Sequence, residues 1–177
     1  MDDANLKELL CDTSSRQFWI KPWGSRDFPD QPDAQPSTLF FAAPQLEITF
    51  AKSKNPPSIQ EGDLFLVYHV RMAHMDAPKL VCVTEANTTP SYATAEQLRK
   101  ETWRTKWPWH IDARNLTPEY GSKWSRYSLN PFRLAKEFNV LNPSDKITLG
   151  AINFGATKLR IREDFARFLL HGIIELR

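Results

Sequence analysis

Cysteine and glycine are scarce in this chain, and long apolar runs are missing from it. Only two cysteines occur among 177 residues, without a CxxC spacing, which argues against a disulfide framework and a zinc site. The six glycines form neither a P-loop nor a GxGxxG pattern. No stretch reaches the roughly 18 apolar residues of a membrane span, and the start lacks the apolar core of a secretion signal. We therefore expect a cytoplasmic protein without a membrane partner.

Catalytic patterns are missing as well. The four histidines show no HExxH or other metal-ligand spacing, and no GxSxG motif is present. Cys82 lies in the apolar run Leu80–Val83, where burial would raise the pKa of its thiol and disfavour a nucleophilic role. We therefore expect a protein that is not an enzyme and uses neither a metal nor another cofactor. A small-molecule sensor, a hydrolase with an aromatic pocket and a protein-docking domain remain open alternatives.

Charge of one sign does not dominate the chain, whose net charge is only +2, but the charges are unevenly distributed. Residues 1–63 carry six basic and ten acidic side chains, a balance of −4. Residues 99–136 carry nine basic and three acidic side chains, a balance of +6. A local positive field of this kind attracts a polyanion, although a solvated surface face has the same pattern.

The positive region contains a dense group of tryptophans. Trp103, Trp107 and Trp109 lie within seven residues and are interleaved with Arg104 and Lys106. Indole rings stack on bases and cations, whereas the neighbouring basic side chains suit phosphate groups. The pattern predicts a base-binding surface on which Arg104 and Lys106 contact phosphates. The alternative interpretation is ordinary core packing, because tryptophan is frequently buried.

A second group of candidate residues follows the first predicted strand. Trp23, Ser25 and Asp27 supply a ring, a hydroxyl and a carboxylate that would read the edge of a base, while Lys21 would hold a phosphate. His69, near the end of a later strand, would line the same pocket. Turn formation by Asp27 and core packing by His69 are the alternatives.

Short strands and a few helices alternate along the chain. An arm or short helix is expected at residues 1–16, followed by one domain at residues 17–177. After a turn at Gly62, the near-continuously apolar segment Leu64–Val70 predicts a strand buried on both faces. Other predicted elements are strands at 17–21 (ended by Pro22), 79–85 and 110–116, helices at 94–100, 131–139 and 162–173, a strand or partly helical segment at 147–154 and an extended segment at 158–162. Together they predict an α+β domain on a small, strongly curved mixed sheet or barrel.

Three of these segments, taken in order, resemble a known family. Phe18–Asp27, Glu61–His69 and Lys106–Arg114 resemble the corresponding parts of EVE domains, which belong to the PUA-like superfamily and are similar to YTH domains. The resemblance extends over roughly residues 17–173. It implies a small mixed β-barrel flanked by helices, with an aromatic pocket for a modified base on its concave face.

The resemblance also implies roles for individual residues. Trp103 and Trp107 match the two tryptophans that wall the YTH pocket, Trp23 matches the aromatic residue of the first loop and Asp27 the nearby carboxylate. YTH domains have a further tryptophan where this chain offers Leu39, Phe40 and Phe41, and we take Phe40 as the candidate. The basic residues that match the phosphate-contacting tail are Lys158, Arg160 and Arg162.

From this resemblance we expect a noncatalytic reader of DNA that contains 5-methylcytosine or 5-hydroxymethylcytosine. The base would be flipped or unpaired and held in the aromatic cage. Such domains often serve modification-dependent restriction systems, so an effector nuclease domain would be a natural partner. An RNA-binding module of PUA or YTH type remains the alternative.

Overall fold

The computed structural model describes residues 2–12, 15–23, 38–53, 56, 58–69, 78–126, 129–139 and 160–176, and these form helices around a mixed sheet. The strands are β1 (Phe18–Trp23), β2 (Gln45–Phe50), β3 (Leu64–His69), β4 (Lys79–Ala86), β5 (Ser91–Tyr92), β6 (Trp109–Asn115) and β7 (Arg160–Ile161). The helices are α1 (Asp2–Cys11), α2 (Thr38–Ala42), α3 (Ala95–Lys100), α4 (Pro118–Lys123), α5 (Pro131–Glu137) and α6 (Glu163–Glu175), with 3-10 turns at Thr102–Thr105 and Trp124–Arg126.

The seven strands form one sheet in the order β2-β6-β4-β3-β1-β7, and β5 adds to β6. β1 runs parallel to β3, whereas the other pairs are antiparallel. The predicted α+β class and the mixed sheet are therefore confirmed. The prediction of a closed barrel is not, since β2 and β7 remain the two ends of the sheet over the residues described.

The sheet is nevertheless strongly curved. Three strands separate β1 from β2, so a flat sheet would hold these strands roughly 19 Å apart. Lys21 Nζ on β1 lies only 5.7 Å from the centre of the Phe50 ring on β2. The Phe50 ring is also 6.3 Å from the ring of Phe65 on β3. Side chains of distant strands thus meet on one concave face.

The core lies on both sides of β3, all six residues of which are buried, as its apolar sequence predicts. Helix α6 contributes Phe165, Leu169 and Ile173 to this core. The leading helix α1 belongs to this body, because Leu6 is fully buried and Arg167 of α6 donates hydrogen bonds to carbonyl oxygens near the end of α1.

The predicted turn before β3 is confirmed, with Gly62 at a φ of 88°. The next residue, Asp63, is buried and its carboxylate accepts hydrogen bonds from Gln17 N, Gln60 N and Trp19 Nε1, each at 2.9 Å. A buried carboxylate needs several such donors because it has lost its hydration. Asp63 therefore ties the turn to the beginning of β1.

Two local predictions require correction. β1 continues through Pro22 to Trp23, which is sterically allowed because β7 pairs only with Phe18 and Trp19, leaving the far side of Pro22 without a strand in the described region. The apolar segment of uncertain type around Phe40 forms the short helix α2. The predicted segment 147–154 lies outside the described residues.

Candidate nucleic-acid interface

A capped helix and a tight turn position the first two tryptophans of the dense group. Thr94 caps α3, accepting a hydrogen bond from Gln97 N while the Gln97 side chain accepts one from Thr94 N, as the sequence predicts. The chain then tightens into the 3-10 turn Thr102–Thr105. Trp103 lies in this turn. Trp107 follows it, and the backbone N–H of Trp107 donates to Arg104 O at 3.1 Å. Both indole side chains are half-buried, so neither is enclosed by the core.

Arg104 anchors this turn to the sheet. Its Nε donates to Glu101 at 2.6 Å and its Nη2 approaches Glu47 of β2 at 2.8 Å, and its guanidinium lies 4.7 Å from the centre of the Trp103 ring. Burial lowers the pKa of Arg104, but the hydrogen bonds and charges of Glu47 and Glu101 outweigh this effect and raise it overall. The prediction that Arg104 binds phosphate is therefore corrected: its charge is committed to two carboxylates and only 6% of the residue is exposed.

Lys21 lies on the concave face beside Trp107. Its Nζ is 5.9 Å from the centre of the Trp107 ring and 5.7 Å from that of Phe50, and it donates a hydrogen bond to Pro22 O at 3.1 Å. Lys21 was predicted to hold a phosphate at the surface. The structure instead buries it, and its ammonium group supports an aromatic ring through cation–π attraction.

Trp23 and His69 are core residues rather than walls of an open pocket. Trp23 packs against Phe40 and Phe41, with ring centres 5.0 and 6.0 Å apart. His69 pairs with Trp23 in register across β1 and β3, and its ring stacks on Trp124 at 5.4 Å. Both are buried, so the base-binding roles predicted for them are corrected to packing, while Phe40 stays half-buried.

The remaining predicted residues divide into three groups. Ser25, Asp27 and Lys158 lie outside the described residues. Arg160 and Arg162 are exposed and line a surface depression of about 500 Å³, but Arg162 is paired with Asp164. Lys106 is exposed, as a phosphate contact requires. Of the predicted phosphate contacts, Arg160, Arg162 and Lys106 are thus the ones placed at the surface.

One aromatic residue was missed by sequence reasoning. Tyr92 of β5 is 44% exposed and meets Trp109 edge to face, with ring centres 5.0 Å apart. Trp109, which was predicted as a base contact, is half-buried and pairs in register with Phe50. The two-residue strand β5 has no periodicity that a sequence pattern could reveal. Only its pairing with β6 brings Tyr92 to the tryptophans.

We call Trp103, Trp107, Trp109 and Tyr92 together the aromatic rim. Trp107 and Trp109 are linked through the concave face. Lys21 lies close to the rings of both Trp107 and Phe50, and Phe50 pairs in register with Trp109. Two exposed lysines lie beside it, since Lys52 N donates to Lys106 O at 2.9 Å. The rim thus combines accessible ring surface with positive charge, which is the pairing of groups that a nucleic-acid strand needs.

Comparison with known proteins gives a fold but not a function. No protein-family model and no curated protein matches the sequence. A solved structure of a hypothetical protein from Leishmania major is similar, with a TM-score of 0.52 and 11% sequence identity over 92% of this chain and 97% of that one. At this identity the likeness shows the fold alone. Among the helices that the structure describes, none is long and apolar enough to cross a membrane.

Proposed function

We propose that the protein is a noncatalytic nucleic-acid reader of the EVE type, within the PUA-like superfamily, which binds a flipped or unpaired modified base on its aromatic rim. The ligand we favour is DNA that carries 5-methylcytosine or 5-hydroxymethylcytosine. The observation that carries the proposal is the placement of Trp107: its indole is half-buried at the surface, with the ammonium of Lys21 beside its ring on the concave face.

The energetics of such binding set what the rim must supply. Extracting a base from a duplex costs a few kcal/mol, whereas stacking on an aromatic side chain returns roughly 1 to 3 kcal/mol per base. Phosphate contacts must contribute the rest for duplex DNA. Lys106, and Lys52 beside it, are exposed cations suited to this role. Because phosphate contacts release counterions, affinity should fall steeply as salt is raised.

Selectivity for one methyl group is a smaller effect. Burying a methyl group against apolar surface is worth about 1 kcal/mol, which corresponds to roughly a fivefold preference. Stronger selectivity requires that the unmodified base leave a polar group unpaired or meet a clash. We therefore expect a moderate preference for the modified base. Such a module would serve as the recognition part of a modification-dependent restriction enzyme, together with an effector nuclease.

The test is a titration with matched single-stranded and duplex DNA oligonucleotides, each with and without a modified cytosine, followed by tryptophan fluorescence. We expect tighter binding of the modified strand and a loss of about fivefold or more for Trp107→Ala, with a smaller loss for Trp107→Phe, which keeps an aromatic face. Equal affinity for modified and unmodified DNA would exclude a reader. Tighter binding of RNA of the same sequence would favour the RNA-binding alternative.

A matched pair of lysine variants tests the phosphate contacts. Lys106 beside the rim and Lys123 of α4 are both exposed, so neither substitution disturbs the core. Lys106→Ala should weaken binding of modified and unmodified strands alike and reduce the salt slope by about one. Lys123→Ala should leave both unchanged. Equal effects of the two substitutions would show attraction by overall charge instead of a contact at the rim.

A further inference from the structure

Tyr92 has an unusual position for an aromatic residue of a small domain. It lies on a two-residue strand, is 44% exposed, and its ring is nearly perpendicular to that of Trp109, with ring centres 5.0 Å apart. Among the side chains whose burial the structure describes, only Tyr92 and Leu176 are large hydrophobic residues with more than a third of their surface exposed. An exposed ring held in place by a neighbouring ring loses little conformational entropy when a flat ligand stacks on it.

Backbone hydrogen bonds fix Tyr92 relative to the proposed base site. Ala93 N donates to Pro108 O at 2.8 Å. Pro108 is buried, and in the sequence it connects Trp107 to Trp109. Tyr92 and Trp109 are also register partners across β5 and β6. Trp109 and Tyr92 therefore lie on paired strands, and Trp107 lies in the short connection that leads into β6, which the Ala93–Pro108 hydrogen bond ties to the residue after Tyr92.

The charges near this edge favour a polyanion over an apolar peptide. Lys52 and Lys106 are exposed and lie side by side through the hydrogen bond of their backbones. The nearby carboxylates of Glu47 and Glu101 are paired with Arg104, so they oppose an anionic strand less than free carboxylates would. Aromatic rings in series beside cations are the arrangement with which single-stranded nucleic acid is bound.

We infer that Tyr92 is a stacking site for a nucleotide that flanks the recognised base, so that the ligand is a single-stranded or locally melted segment that continues across β5. The inference rests on the proposed function and extends it from one base to its neighbour. Trp107 would bind the recognised base, and Trp109 would support the ring of Tyr92.

The experiment compares a pentanucleotide carrying a central modified cytosine with the corresponding modified nucleoside 5′-monophosphate. Each is titrated against the wild-type chain and its Tyr92→Ala and Tyr92→Phe variants. Tyr92→Ala should weaken pentanucleotide binding by about five- to thirtyfold and leave the monophosphate unchanged, because the monophosphate has no flanking base. Tyr92→Phe should remain within about twofold, because stacking needs the ring and not the hydroxyl group. The exposure of Tyr92 means that neither variant should change the melting temperature appreciably.

The outcomes separate this inference from the proposed function. The flanking site is disproved if Tyr92→Ala binds the pentanucleotide as tightly as the wild type does, or if it weakens the binding of both ligands equally. Neither result would contradict the proposed reader function. A loss for Tyr92→Phe as large as that for Tyr92→Ala would also overturn the flanking site, since the contact would then depend on the hydroxyl. If the wild-type chain binds no oligonucleotide, the proposed function itself fails.

Discussion

The guanidinium of Arg104 lies 4.7 Å from the centre of the Trp103 ring while its nitrogens hold Glu101 and Glu47. One face of this indole is therefore covered by a cation that is itself fixed by two carboxylates. A base would have only the other face available. Arg104 thus holds the ring of Trp103 in place, and its charge is used to stabilise the 3-10 turn.

Removing the charge of Arg104 should destabilise the fold. We expect Arg104→Met to lower the free energy of unfolding by about 2 to 3 kcal/mol, because it leaves two partly buried carboxylates without their partner. Arg133→Met is the matched control: Arg133 pairs with Glu137 on exposed surface, where such a pair is worth about 0.5 kcal/mol. Urea denaturation measures both. Equal losses for the two variants would contradict the anchoring role.

The loss of stability on substitution by alanine should distinguish tryptophans of the aromatic rim from a tryptophan of the core. Trp124 is buried with 2% exposure and packs against His69 and Phe41, so Trp124→Ala should cost about 3 to 5 kcal/mol. Trp103→Ala and Trp107→Ala should each cost about 1 to 2 kcal/mol, because both side chains are only partly buried. Thermal unfolding followed by circular dichroism provides the measurement. Losses as large as that of Trp124→Ala would make the rim tryptophans core residues.

The sequence predicts those features whose cause is local. The continuous apolar run of β3, the capping box at Thr94 and the turn at Gly62 each depend on a few adjacent residues, and the structure confirms all three. Helix α5 begins at Pro131 as predicted, with the Asn130 side chain accepting hydrogen bonds from the first turn. Helix α2, of only five residues, is too short for its apolar pattern to distinguish a helix from a strand.

The burial of some predicted site residues depends on partners that are far apart in the chain. Arg104 looks like a free cation in sequence, and its partner Glu47 lies 57 residues earlier. Trp23 looks like a loop residue until the curvature of the sheet and the helix α2 enclose it. Lys21 is buried for the same reason, since β2 approaches β1 only because the sheet curls. No pattern within a few residues encodes these long-range approaches.

Two glycines should respond in opposite directions to alanine. A Cβ at Gly121 in α4 would lie 1.9 Å from Phe41 O, far inside van der Waals contact, so α2 and α4 could not keep their separation. Gly121→Ala should therefore cost more than about 3 kcal/mol or prevent folding. At Gly172 in α6, the added Cβ would lie 3.5 Å from Leu129 Cδ2, which is ordinary contact. Gly172→Ala should raise stability by about 0.5 to 1 kcal/mol, because alanine favours the helix.

Denaturant unfolding of the two variants measures these changes. Near-neutral behaviour of Gly121→Ala would show that α2 does not pack against α4 as closely as described. A loss for Gly172→Ala comparable to that for Gly121→Ala would show that steric overlap is not the cause of either effect.

The two cysteines should differ in their reaction with alkylating reagents. Cys11 is exposed, whereas Cys82 is fully buried in β4, and desolvation by burial raises the pKa of the Cys82 thiol. Because the thiolate is the reactive form, iodoacetamide at pH 8 should modify Cys11 and leave Cys82 unmodified in the folded chain. Unfolding in guanidinium chloride should then expose both thiols to modification. Peptide mass spectrometry distinguishes the two sites, with Cys11→Ser as a control that removes the rapid reaction. Rapid alkylation of Cys82 in the native protein would show that β4 opens to solvent, which its position between β3 and β6 in the sheet opposes.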